Sequence, residues 1–149
     1  MSSASSAPIP PPGEAYDWFR RGCDLLETGH PAAAAELLAW AARDEPNAAS
    51  IREAWGRALF DAHRYEDAAR QFAVQAELAP DDDYAQFGLG MALWRLRQFP
   101  QAADHLAMAA VMRPDRAEYG KALRQVRATL AAREEAGLPP VGGSDEAWS

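Results

Sequence analysis

A step of 34 residues runs through the middle of this sequence. It separates Gly22, Gly56 and Gly90, and the same step links Ala34, Ala68 and Ala102. Pro46, Pro80 and Pro114 keep it, as do Leu38, Phe72 and Leu106, and Leu25, Leu59 and Leu93. Five columns in one register, over three copies, exclude coincidence. A fixed period of this length marks stacked supersecondary units, each completing its core against the next.

Each column has a physical task. A glycine inside a helix costs roughly 1 kcal/mol against alanine. A helix keeps it where another helix comes close, and the alanine column on the second helix is expected to face that contact. The two leucine-rich columns fill the space between paired helices. Proline closes each unit, because it cannot continue a helix interior. The turns inside the units are Gly29-His30-Pro31, His63-Arg64-Tyr65 and Arg97-Gln98-Phe99-Pro100. Pro31 and Pro100 suit the first turn of a following helix, where no backbone N–H is required. The spacing predicts helices over 14–28, 31–44, 48–61, 65–78, 82–95, 100–112 and 116–135, with Asp115 as N-cap of the last. Tyr119, Leu123, Val126 and Leu130 make one apolar stripe on that last helix, facing the third unit.

Composition agrees with an all-α chain: alanine is abundant and large β-branched residues are few. The formal net charge of −7 argues against nucleic acid or an anionic membrane as the partner of the whole surface. Cys23 is the single cysteine, which excludes an intrachain disulfide and a cysteine-rich zinc site. Residues 1–13 have neither the charged nor the apolar segment of a secretory signal, and no apolar run reaches membrane-spanning length. The expectation is a cytoplasmic protein.

The unit resembles the tetratricopeptide repeat (TPR) family. That family's 34-residue helix-turn-helix has small residues at unit positions 8 and 20, a large apolar residue at 24 and proline at 32. Counted from Ala15, Ala49 and Asp83, all three copies match. Trp18 matches the aromatic at position 4, where Arg52 and Gln86 depart; Trp55 and Leu89 match position 7, where Arg21 departs. The resemblance implies an α-solenoid of three helical pairs and a cap. Its divisions are a disordered tail at 1–13, repeats at 14–48, 49–82 and 83–116, a capping helix at 117–136 and a second disordered tail at 137–149.

In that family, partners bind a concave groove lined by positions 2, 5, 9 and 12 of each first helix. Carried over, these are Tyr16, Ser50 and Tyr84; Phe19, Glu53 and Phe87; Cys23, Arg57 and Met91; and Leu26, Phe60 and Trp94. Apolar residues of the first and third repeats flank a charged centre, Glu53 and Arg57, spaced i,i+4 as a favourable ion pair. Some TPR proteins hold a C-terminal carboxylate with a basic residue at position 5 and asparagine at position 9 of the first repeat. Phe19 and Cys23 stand there, so that clamp is absent. The groove suits an apolar or aromatic peptide, with Arg57 orienting a carboxylate.

Catalytic and metal signatures do not assemble. Ser50 is the one serine outside the tails, and His30, His63 and His105 form no ligand pair on one helical face. Asp81-Asp82-Asp83 lacks the alternating ligands of a calcium loop and reads as a helix start. Gly88 and Gly90 read as helix packing, with no phosphate loop. No cofactor is implied, and the expectation is a non-enzymatic adaptor, scaffold or co-chaperone-like module for another protein or peptide. The alternative is a structural subunit that assembles through its edge repeats. Two further surfaces compete with the groove. Lys121, Arg124 and Arg127 make a basic strip on the capping helix, and Trp148 sits in the acidic tail Ser144–Ser149.

Overall fold

The computed structural model describes residues 7–141, and among them it holds seven helices and no strand. They are α1 (Ala15–Glu27), α2 (Pro31–Asp44), α3 (Ala49–Asp61), α4 (Tyr65–Leu78), α5 (Asp83–Arg95), α6 (Phe99–Met112) and α7 (Ala117–Glu135). Helices α1 and α2, α3 and α4, and α5 and α6 pack as hairpins. Each hairpin stacks on the next, and α7 closes the stack against α6. The first helices of successive repeats also touch, placing α1, α3, α5 and α7 side by side on one face. The chain is an all-α solenoid of helical repeats. Among the described residues no helix is long and apolar enough to cross a membrane.

The stop signals are the same in each unit. Helices α1, α3, α5 and α7 end in Schellman motifs. In α1 the N–H of His30 bonds the carbonyl of Leu25 at 2.8 Å and that of Gly29 bonds Leu26 at 3.3 Å. The matching bonds run from Arg64 to Leu59, from Gln98 to Leu93 and from Leu138 to Arg133. Each motif turns on one left-handed residue: Gly29, His63, Arg97 and Gly137, with φ of 84°, 62°, 63° and 71°. Histidine and arginine adopt that conformation at a cost that glycine escapes. The second helices stop against Pro46, Pro80 and Pro114, each next to the C-cap residue.

Starts differ from unit to unit. Pro31 opens α2 and Pro100 sits in the first turn of α6. Asp82 caps α5, its Oδ1 accepting the N–H of Tyr84 at 3.0 Å and of Ala85 at 3.4 Å. Asp115 does not cap α7. Arg116 takes the N-cap position without a side-chain bond, and Asp115 instead receives two hydrogen bonds from the Arg113 guanidinium, at 3.0 and 2.8 Å. That fork is tighter than a cap to one amide, and it holds the Asp115 carboxyl down at about 2.

The glycine columns mark close approaches, though to a different partner from the one expected. A Cβ on Gly22 would lie 2.7 Å from the Leu38 side chain, one on Gly90 2.7 Å from Leu106, and one on Gly56 2.9 Å from Phe72. The facing column is therefore Leu38, Phe72 and Leu106. Ala34, Ala68 and Ala102 are wholly buried four residues earlier. Phe72 touches a second glycine as well: a Cβ on Gly88, in the next repeat, would stand 2.6 Å from its ring. On α7, Tyr119, Leu123 and Val126 are buried and Leu130 packs against the core, as the stripe predicts.

The departures at position 4 are resolved by polar pairs. Arg52 donates to Gln71 Oε1 at 2.7 Å and to the Pro46 carbonyl. Buried Gln86 bonds His105 Nδ1 at 2.8 Å. Both partners lie nineteen residues on, at the same place in their units. In the first repeat that place holds Leu37, in the same apolar cluster as Trp18. Trp18 donates its indole N–H to the Pro11 and Pro12 carbonyls, so residues before α1 contact the fold. Residues after α7 do the same. Arg133 Nε donates to the Pro139 carbonyl, and the N–H of Phe99 donates to the carbonyl of Val141 at 3.1 Å.

Candidate functional site

Helices α3 and α5 carry one residue of each type needed for a binding pocket, because positions 2, 5, 9 and 12 of a helix share one stripe. Between them lies a cavity of about 290 Å³, lined by Arg57, Phe60, Asp61, Phe72, Tyr84, Phe87, Gly88 and Met91. Five of these come from the stripe expected on sequence grounds. Gly88 and Phe72 form part of the wall, and a Cβ on Gly88 would lie 2.6 Å from the Phe72 ring. Asp61 joins them one turn after Arg57.

The remaining stripe residues are dispersed. Tyr16, Phe19 and Ser50 line a second depression between α1 and α3, together with Asp44 and Glu45. Tyr16 is 67% exposed. Leu26 is buried in the main core. Cys23 is half-buried, and burial pushes its thiol upward against the pull of Arg57. Trp94 leans on Phe99, ring centres 5.1 Å apart. Phe60 meets Tyr65 edge-on at 5.1 Å, and the Arg95 guanidinium lies over both rings. Phe87 is stacked by Tyr119 of the cap at 4.7 Å. The cap thus stiffens one wall of the pocket.

The charged centre is not an ion pair. No carboxylate among the described residues comes within 4 Å of Arg57, and its guanidinium is exposed beside the apolar lining. Glu53 turns inward instead. It accepts from Gln75 Nε2 at 3.3 Å, while the same amide donates to Asp82 at 2.8 Å. Burial first, then the neighbouring Asp82, raises the Glu53 carboxyl above its usual range. Burial likewise raises the Tyr84 hydroxyl. The Tyr119 hydroxyl is raised further by burial and by its bond to Asp83. Gln75 is fully buried, and its Oε1 has no partner among the described residues. Sequence reasoning missed this amide because it sits on α4, outside the stripe.

The basic strip is solvated: Lys121, Arg124 and Arg127 are all exposed on α7. Trp148 lies outside the described residues. Among the described residues no group of three His, Cys, Asp or Glu is placed to hold a metal.

A family model described as "Tetratricopeptide repeat" matches residues 19–73 and 53–118. The chain belongs to the tetratricopeptide repeat family. No curated protein is significantly similar in sequence. Among solved structures, this TPR chain is similar to the first TPR of Spaghetti (RPAP3) bound to the HSP90 peptide SRMEEVD. The two share 17% identity with a TM-score of 0.76, over 79% of this chain and 94% of that one. The first TPR domain of human RPAP3 gives 17% identity and a TM-score of 0.76, over 85% and 99%. MamA from MSR-1 gives 24% and 0.74, over 83% and 71%. At these identities the likeness speaks for the TPR fold, a fold of protein-interaction modules.

Proposed function

We propose that this chain is a non-catalytic adaptor that holds a segment of another protein on the face formed by α1, α3 and α5. The observation that carries the reading is the pocket between α3 and α5. Its lining is aromatic and aliphatic, and at its rim Arg57 offers five N–H donors that no described carboxylate engages. Glu53 is occupied by Gln75, so the rim presents a cation with Asp61 beyond it. The matching ligand is an extended segment with an aromatic or long aliphatic side chain and a nearby carboxylate, the latter taken by Arg57 in a forked contact. The similar fold that holds the peptide SRMEEVD supports a peptide ligand in general. Phe19 and Cys23 differ from the residues of the carboxylate clamp, which points to a different peptide.

The test is capture of partners from the native host by the parent and by Phe87→Ala and Arg57→Ala. Buried aromatic and arginine anchors carry at least about 2 kcal/mol each, roughly thirtyfold in affinity. Either substitution is expected to weaken capture by that order, with the fold retained by circular dichroism. A double charge reversal at Lys121 and Arg124 is expected to leave capture intact. Failure of that cap variant, with both pocket variants binding normally, refutes the reading.

A further inference from the structure

The C-terminal residues leave α7 in a defined direction. Gly137 ends the helix in a left-handed turn, and Arg133 holds the Pro139 carbonyl at 2.8 Å. Val141 then reaches the start of α6, where its carbonyl accepts the Phe99 N–H and its side chain packs against the core. Phe99 adjoins Trp94, and Trp94 stands one turn after Met91, a wall of the α3–α5 pocket. The chain is thus delivered to the end of the pocket-bearing face, on the order of 15 Å from the pocket along α5.

Eight residues follow, Gly142-Gly-Ser-Asp-Glu-Ala-Trp-Ser149. Trp148 is the seventh, and seven extended residues span about 23–25 Å. The reach therefore exceeds the distance. Two glycines at the start allow the chain to change direction. Asp145 and Glu146 precede the indole, and the route is bordered by exposed Arg97, Arg95 and Arg57. Arg97 lies over the Phe99 ring, Arg95 over Phe60 of the pocket. Asp61 is the opposing charge on the lining. A cavity of 290 Å³ with an aromatic lining has the size and chemistry for one indole.

We infer that the chain's own Asp145–Trp148 segment occupies the α3–α5 pocket in the absence of a partner, with the Trp148 indole inside and Arg57 facing Asp145 or Glu146. The inference rests on the pocket being the binding site and adds that the site is self-competed. A tethered occupant lowers the fraction of molecules open to a partner, and apparent affinity falls by that fraction.

The methionines supply the assay, since of the described ones, Met91, Met108 and Met112, only Met91 lines the pocket. The full chain is labelled at its methionine methyls and its NMR spectrum compared with that of Trp148→Ala. The Met91 line is expected to move, because the ring field of the indole is lost, while Met108 and Met112 on α6 stay. The difference is expected to persist on dilution, and Trp148→Ala is expected to capture partner several-fold more tightly. An unmoved Met91 line overturns the inference, and the pocket reading then stands or falls on Phe87→Ala alone. A Met91 difference that vanishes on dilution also overturns it, since the tail then comes from another copy. Should the Met91 line move while Phe87→Ala leaves capture intact, the tail fills the pocket but competes with no partner, and self-competition is overturned together with the pocket reading.

Discussion

Replacing Gly88 by alanine tests the packing between repeats at its tightest point. The new Cβ would fall 2.6, 2.6 and 2.8 Å from three ring carbons of Phe72, where carbon contacts are favourable near 3.5–4.0 Å. The ring is 2% exposed, and Gly56 also comes close to it: a Cβ there would lie 2.9–3.1 Å from the same ring carbons. Overpacking of this kind costs about 1–3 kcal/mol, and a clash as short as 2.6 Å on a buried ring places this site in the upper half of that range. Alanine recovers about 1 kcal/mol of helix propensity. The net expectation is a loss of about 1–2 kcal/mol, read as a drop of roughly 3–8 °C in Tm. Adding Phe72→Leu removes the offending ring edge, and the double variant is expected to recover most of the loss, with a coupling of at least about 1 kcal/mol. Urea unfolding of the four proteins measures the cycle. A Gly88→Ala variant as stable as the parent, or strictly additive substitutions, would show that the ring has room and the contact carries no constraint.

His63→Gly relieves a left-handed conformation held by a β-carbon and is expected to stabilise by about 0.5–1 kcal/mol in the same urea assay, after loss of the exposed His63–Tyr65 contact. Asp82→Ala removes a cap and a partner of buried Gln75, and is expected to cost about 1–2 kcal/mol, whereas Asp115→Ala changes stability little by the same measurement. Glu53 binds its proton more tightly folded than unfolded, so its contribution to stability falls as pH rises above the ordinary glutamate range. The stability difference between Glu53→Gln and the parent, followed by thermal melts from pH 4 to 7, is therefore expected to shift in favour of the variant as pH rises; a flat difference refutes it.

The repeat made the fold legible. Proline and the 34-residue step placed the described helix ends within about one residue, because both act through local backbone geometry. Contacts that depend on side-chain choice across helices were harder to read. Arg52 and Gln86 stood as bare departures until their bonds to Gln71 and His105 paired them. The equal spacing of nineteen was present in the sequence as a signal. Glycine announces a left-handed turn at Gly29, but His63 and Arg97 hide the same turn, closed there by the bonds from Arg64 to Leu59 and from Gln98 to Leu93. The i,i+4 rule predicted a Glu53–Arg57 pair, and the amide of Gln75, twenty-two residues away, drew Glu53 inward instead. In the stripe itself, periodicity fixed which residues share a face. It carried no information on Leu26, which neighbouring helices bury.

Phe72 and Gly88 bear on how such a chain tolerates rearrangement. At the equivalent junctions, Leu38 is followed sixteen residues later by Ala54, and Leu106 by Ala122. The large partner has the smaller counterpart, so side-chain volume is conserved across each seam and not within each repeat. The units therefore look alike in sequence but do not interchange. Deleting the second repeat would join Leu38 to Gly88 and leave a void; duplicating it would press Phe72 onto Ala54. Shuffling by recombination would have to cut inside the repeat, between its two helices, so that both halves of each seam stay together and a new array inherits a filled core.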